Sequence, residues 1–217
     1  MRILLLGASG RTGRLLLRQA LNRGYDVQIL VRDRRKITLT DPRLSVMEGH
    51  PADRACLVKA IQGCNAVLST LNISRHNDFP WAGLRTPPDF LSAVMANIVT
   101  LAPQHGIRRI IFTSAWGVGE TEQDLPGWFR WLVKHSNIRY PYNDLLRTEE
   151  LLRTTDLDWT AVRPAILTNF KQRAQYKISL RNTPLPGLFI SRATVAAFML
   201  DILEKQSYLR ETPVISG

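Results

Sequence analysis

Seven residues near the start of the chain, Gly7-Ala8-Ser9-Gly10-Arg11-Thr12-Gly13, have types and spacing suited to holding a diphosphate. They follow the apolar run Ile3-Leu4-Leu5-Leu6 and precede an amphipathic stretch. In this G-x-x-G-x-x-G spacing, Gly7 permits a sharp turn off a strand. Gly10 lets backbone approach the phosphates, and Gly13 lets a helix pack close to the sheet. A helix starting there presents free N–H groups and the positive end of its dipole to an anion. The end of the next strand, which reads Val31-Arg32-Asp33-Arg34-Arg35-Lys36, bears on the type of dinucleotide. An acid at that point suits the ribose 2′-hydroxyl of NAD, whereas arginine accommodates the 2′-phosphate of NADP. Arg32 at the strand end, with Arg35 among the cations behind it, points to NADP(H), each charge-assisted bond contributing roughly 1.5–3 kcal/mol. In the competing reading Asp33 takes the ribose and the cations form a solvated turn.

Groups able to move a proton are fewer. Ser114 ends the run Ile111-Phe112-Thr113, and its hydroxyl could bond a substrate carbonyl or a nicotinamide amide, or only satisfy backbone. Tyr142 is a weaker catalytic candidate, because a phenol with no cationic neighbour keeps a pKa near ~10 and is a poor acid at neutrality; packing competes for Tyr140 and Tyr142 alike. His76, His105 and His135 lack metal-ligand spacing, and no metal site is expected. Arg163, before Pro164, reads as one half of a structural ion pair, and Glu149 as a helix-face residue.

These residues need a frame, and short apolar runs alternating with amphipathic stretches supply one of repeated βαβ units. The pattern predicts strands over residues 2–6, 26–31, 44–47, 66–70, 108–113, 158–163 and 212–215. It predicts helices over residues 12–23, 53–62, 88–105, 144–154 and 193–204, with Asp53 as an N-cap. The expected fold class is α/β, a Rossmann-type doubly wound parallel sheet. Residues 1–217 read as one dinucleotide-binding domain with small irregular cap segments at about 75–87, 117–141 and 167–190. Trp128, Phe129 and Trp131 fall in the second segment, with packing their expected role.

Composition narrows the class. The 217 residues are 45% hydrophobic and 22% charged, as in soluble globular chains. No apolar run approaches the ~20 residues of a membrane span. The opening run stops at Gly7, shorter than a signal-peptide core of ~7–15 residues. Two cysteines, Cys56 and Cys64, without paired spacing suggest a cytoplasmic setting. The net charge of +11 suits a polyanionic cofactor, and without basic-aromatic runs or nucleic-acid motifs no specific nucleic-acid partner is expected. Oligomeric state stays open.

The loop GASGRTG, the segment Gly24-Tyr25-Asp26-Val27 leading to Leu30-Val31-Arg32-Asp33, the run Ile111-Phe112-Thr113-Ser114-Ala115, and Asp158-Trp159-Thr160-Ala161-Val162-Arg163-Pro164 resemble atypical short-chain dehydrogenase/reductases. The resemblance is to the NAD(P)H-binding family that includes biliverdin reductase B (flavin reductase) and the NmrA-like proteins, and it covers nearly the whole chain. It implies that Arg11 and Thr12 help hold the phosphates and that Arg32 meets the 2′-phosphate. It puts His50 where relatives often carry an acid reaching the adenine. Ser69, Thr70 and Leu71 would line the cofactor cleft, Ser114 would sit beside the nicotinamide, and Pro164, Ala165 and Ile166 would pass near its ring. The chain departs from the family's acid chemistry. Short-chain dehydrogenases use Tyr-x-x-x-Lys, whereas here Tyr142 leads to Leu146 and Tyr140 to Asp144, with no lysine in register. Ile166 lies in the region where the biliverdin reductase subgroup has a histidine.

Three functions follow as expectations. The first is NADPH-dependent reduction of a flat small-molecule acceptor, a flavin or quinone, by hydride transfer. The second is non-enzymatic sensing of NADP(H), as among NmrA-like proteins. The third is epimerase- or dehydratase-like chemistry on a nucleotide sugar, which needs the tyrosine that the chain does not activate.

Overall fold

The computed structural model describes residues 1–172 and 175–217, so residues 173 and 174 of the expected cap segment 167–190 lie outside the described residues. In chain order the elements are β1 (Arg2–Leu6), α1 (Arg11–Asn22), β2 (Asp26–Val31), β3 (Leu44–Glu48), α2 (Arg54–Ile61), β4 (Ala66–Ser69), α3 (Phe90–Leu101) and β5 (Arg109–Thr113). They continue as α4 (Gly127–His135), α5 (Arg139–Arg153), β6 (Asp158–Pro164), β7 (Ile166–Thr168), β8 (Lys177–Ser179), β9 (Phe189–Ser191), α6 (Arg192–Glu204) and β10 (Val214–Ser216). Eight strands form one sheet in the order β3-β2-β1-β4-β5-β6-β10-β8. All its pairs are parallel except that of β8 with β10. This is a Rossmann-like, doubly wound α/β fold.

Buried on both faces, the central strands are apolar at successive positions. Ile3 and Leu5 of β1 face a core shared with α1 and α6, while Leu4 and Leu6 face one shared with α2, α3 and α5. Strand order reverses direction between β1 and β4, which opens a crevice at the carboxyl ends of these strands. Close contacts hold the crevice together. Thr70 donates its backbone N–H to the Leu6 carbonyl at 2.9 Å, and its hydroxyl to the Leu6 and Gly7 carbonyls, each at 3.3 Å. A β-carbon on Gly7, whose φ is +84°, would lie 2.7 Å from the Thr70 hydroxyl oxygen. One on Gly13 would lie 2.0 Å from the Gly7 carbonyl oxygen, so α1 packs this near to β1 only because residue 13 has no side chain.

The expected helices and strands are present, with ends displaced by a few residues, apart from two segments. Residues 117–141 are not an irregular cap. They hold a 3-10 turn (Gly119–Asp124), all of α4 and the start of α5. Pro126 is the N-cap of α4, and Pro141, at the end of the segment expected to be irregular, lies in the first turn of α5. The N–H that proline lacks would have no intrahelical partner at such a position in any case. Within 167–190, β8 extends the main sheet, and β9 pairs in parallel with β7 in a separate two-stranded ribbon. Strands of three residues are too short to show a period. Residues 75–87 are the expected loop after β4, closed by an antiparallel bridge between Arg75 and Leu84.

Gly13→Ala is expected to lower the free energy of unfolding by about 1–3 kcal/mol through overpacking. Gly10→Ala, whose added β-carbon meets only the Gly7 oxygen at 3.2 Å, should stay within about 1 kcal/mol of the parent. Urea unfolding of both variants checks this, and equal losses would contradict the close packing of α1 on β1.

Candidate functional site

The carboxyl ends of the central strands open into a cavity of about 940 Å³. Gly7, Ser9, Gly10, Arg11 and Thr12 form its floor; Arg32 and Lys36 enter from beyond β2, and Thr70 and Leu71 from beyond β4. Ser114 comes from the end of β5, and Pro164, Ala165 and Ile166 from the end of β6. Thirteen of the sequence-derived candidates, Tyr142 included, therefore join Lys36 around a single space. Gly10 is the N-cap of α1, has no side chain and donates its N–H to the Gly7 carbonyl at 2.9 Å. A side chain there would project where a diphosphate must approach, so the cradle fits that group. Among the described residues, five cations line the cavity (Arg11, Arg32, Lys36, Arg75 and Arg192) against one acid, Asp78.

Five other candidates lie off the cavity wall. Gly13 is spent on the contact with β1. Ala8 is fully buried against the core behind the loop. Ser69 is buried in β4, and its hydroxyl accepts the Leu71 N–H at 3.4 Å. His50 turns away: its Nδ1 accepts the Ala52 N–H at 3.2 Å and its ring meets Phe90 edge-on. Arg35 is drawn back onto Asp33, with Nε at 3.0 Å from the carboxylate, and points into solvent. The same pairing engages Asp33, whose carboxyl is held below the usual carboxylate range by the Arg35 hydrogen bond. Asp33 also accepts the Arg35 N–H as the cap of a 3-10 turn. Arg32 and Lys36, but not Asp33, reach the cavity.

A buried polar network stands behind the far wall. Ser114 donates its hydroxyl to Glu149 at 2.6 Å. The Glu149 carboxylate accepts from Arg163 through Nε at 3.0 Å and through Nη2. Arg163 also bonds Glu120, at 2.7 Å. Glu149 and Arg163 are essentially fully buried. The ion pair expected of Arg163 is thus found, and its partner is Glu149, on the buried face of α5. Because Ser114 has one hydroxyl proton and gives it to Glu149, it faces the cavity as an acceptor. Donation to a substrate carbonyl does not fit this arrangement. Tyr142 is similarly committed. Its hydroxyl donates to the Trp116 carbonyl at 3.1 Å, and burial pushes its phenol above the ordinary tyrosine range. It forms wall, together with Trp116, Phe129, Ile138 and Leu167.

The signal for several of these residues was weak in the sequence. Asp78 and Arg75 sit in an irregular loop. Arg192 is the first residue of α6, where a cation opposes the helix dipole; that misplacement was a readable clue. The expectation that the α4 aromatics pack holds for Phe129 alone, since Trp128 and Trp131 are more than half exposed.

The sequence profile of the NAD(P)H-binding family matches residues 7–206. A photosystem II assembly factor of Synechocystis sp. is 25% identical over the full length of this chain, which spans 63% of that protein. Among solved structures, a short-chain dehydrogenase/reductase from Veillonella parvula in complex with NADP superimposes with a TM-score of 0.78 at 20% identity, covering 100% of this chain and 94% of that one. The anaerobilin reductase ChuY of Escherichia coli does so with a TM-score of 0.80 at 19% identity, covering 100% and 97%. At these identities the two structures speak for the fold.

Removing one member of a buried ion pair leaves the other unpaired, at a cost of roughly 3–5 kcal/mol. Glu149→Ala is expected to destabilise the protein by about that amount in urea unfolding, and Ser114→Ala by about 1 kcal/mol. A Glu149→Ala loss no larger than that of Ser114→Ala would contradict the buried pairing.

Proposed function

The chain belongs to the NAD(P)H-binding family, and on that premise we propose that it is an NADPH-dependent reductase of a flat conjugated acceptor such as a flavin or a quinone. The observation that carries the reading is the continuity of the cavity. A glycine cradle and cations at one end run past Ser114 to the wall of Trp116, Phe129, Ile138 and Tyr142 at the other. Residues 7–12 would hold the diphosphate, and Arg32 with Lys36 the 2′-phosphate. Bound there, NADPH supplies a hydride. Ser114, held by Glu149, accepts a hydrogen bond from the carboxamide and fixes which face of the ring is presented. Pro164, Ala165 and Ile166 back that ring.

The apolar wall excludes water and aligns the acceptor, the kind of contribution a protein makes to transfer between two conjugated rings. The reduced acceptor takes its proton from bulk water once it leaves the apolar wall, so no tyrosine acid is required. Nothing in the Tyr142 environment favours nucleotide-sugar epimerisation. The commitment of both the Ser114 and Tyr142 hydroxyl protons also favours a second reading, NADP(H) sensing without turnover.

Acceptor-dependent loss of the reduced-nicotinamide absorbance with FMN, riboflavin and menadione is the expected result for the purified protein. No oxidation above background with any of them, despite NADPH binding, would support the sensing reading instead. Arg32→Ala is expected to weaken NADPH binding about 10- to 100-fold, one charge-assisted contact, and to leave NADH binding nearly unchanged. Calorimetric dissociation constants check this, and NADH binding to the parent protein as tightly as NADPH overturns the NADP preference.

A further inference from the structure

We propose that Arg11, Arg75 and Arg192 form an anion subsite at the cavity mouth, that Asp78 is its internal occupant, and that its external ligand is the phosphate or carboxylate tail of an anionic acceptor. The word acceptor rests on the reductase reading above; the anion subsite does not.

The Asp78 carboxylate is gripped by Arg11 through two parallel bonds, Nη1 to Oδ2 and Nη2 to Oδ1, each 2.9 Å. That fork is the geometry by which arginine recognises carboxylates and phosphates. The Arg11 hydrogen bonds hold the Asp78 carboxyl below its usual range, and the charges of Arg75 and Arg192, which line the same cavity without touching Asp78, reinforce them. Arg75 and Arg192 have only neutral hydrogen-bond partners among the described residues. Arg75 donates to the Phe79 carbonyl at 2.7 Å, and Arg192 to the Asn169 side chain at 2.6 Å.

Two helix ends add to the positive field. Arg11 and Arg192 are the first residues of α1 and α6, and neither helix has an acid in its first turn. Cations at those positions oppose the dipoles, and the Asp78 carboxylate meets the one on Arg11.

With the diphosphate held by residues 7–12 and the 2′-phosphate by Arg32 with Lys36, Arg75 and Arg192 are left for another anion, and Arg11 borders both sites. The subsite adjoins the acceptor wall. Leu167 on that wall and Asn169, the partner of Arg192, are two residues apart, roughly 7 Å of extended chain. A five-carbon chain ending in phosphate, as in FMN, has a comparable span.

The test is equilibrium binding to the full chain saturated with NADP+, followed by quenching of flavin fluorescence. FMN is expected to bind at least tenfold more tightly than riboflavin. Arg192→Gln and Arg75→Gln should each remove most of that difference without changing riboflavin affinity, and Arg192→Lys should restore part of it. Asp78→Asn, which removes the internal competitor, should tighten FMN binding severalfold. A naphthoquinone carrying a carboxylate, compared with menadione, separates a carboxylate tail from a phosphate tail; a gain for either anionic member supports the subsite. Equal binding of charged and neutral members in both pairs overturns it. So does an Arg192→Gln variant that weakens NADP+ as much as FMN, because the cluster would then serve the cofactor. A preference for FMN without NADPH oxidation would sink the reductase reading and leave the subsite standing.

Discussion

The carbonyl oxygen of Gly7 lies where a side chain on residue 13 would have to go, and the floor of the site depends on that contact. It brings the amino end of α1 against the end of β1, while Thr70 ties the end of β4 to the same point. Three elements that diverge elsewhere converge here. Unsatisfied N–H groups therefore gather at the crevice where the strand order reverses. No charged side chain is needed to create that positive floor, and the arginines around it add to a field the backbone already supplies.

The far wall is fixed differently, by a buried pair of opposite charges. Arg163 on β6 and Glu149 on α5 satisfy one another, and Ser114 on β5 is oriented by what remains of the carboxylate's bonding capacity. Such a pair adds little net stability but is costly to break, which suits a part that must hold one hydroxyl in one orientation. Between these ends the cavity mouth holds an exposed ion pair, Arg11 with Asp78, of a kind that exchanges partners at small cost. The molecule thus combines an immobile centre with a mouth able to rearrange.

Much of this could be read from the sequence because it is local. The glycine spacing, the alternation of strands and helices, and the Arg32 position are contiguous patterns, and each matches an element or a cavity wall. Contacts between distant segments were not legible. Asp78 meets Arg11 across 67 residues, and nothing near either one announces the other. His50 and Arg35 fell at plausible positions along the chain, but nearer partners, the Ala52 N–H and Asp33, took them first. Pro141, the expected end of an irregular segment, lies inside a helix because proline ends a helix from within and begins one from its first turn, and the residue type alone does not say which.

The placement of the five tryptophans gives the molecule an optical property. Trp159 is buried in β6, Trp116 is buried at the cavity wall, and Trp81, Trp128 and Trp131 are exposed. Indole emission overlaps the near-ultraviolet absorption of a reduced nicotinamide but not that of an oxidised one. A reduced ring against the Ser114 wall would draw excitation from Trp116, whereas the exposed indoles would continue to emit at the red edge. The ratio of the two bands would then follow the redox state of whatever occupies the cavity, without any added dye.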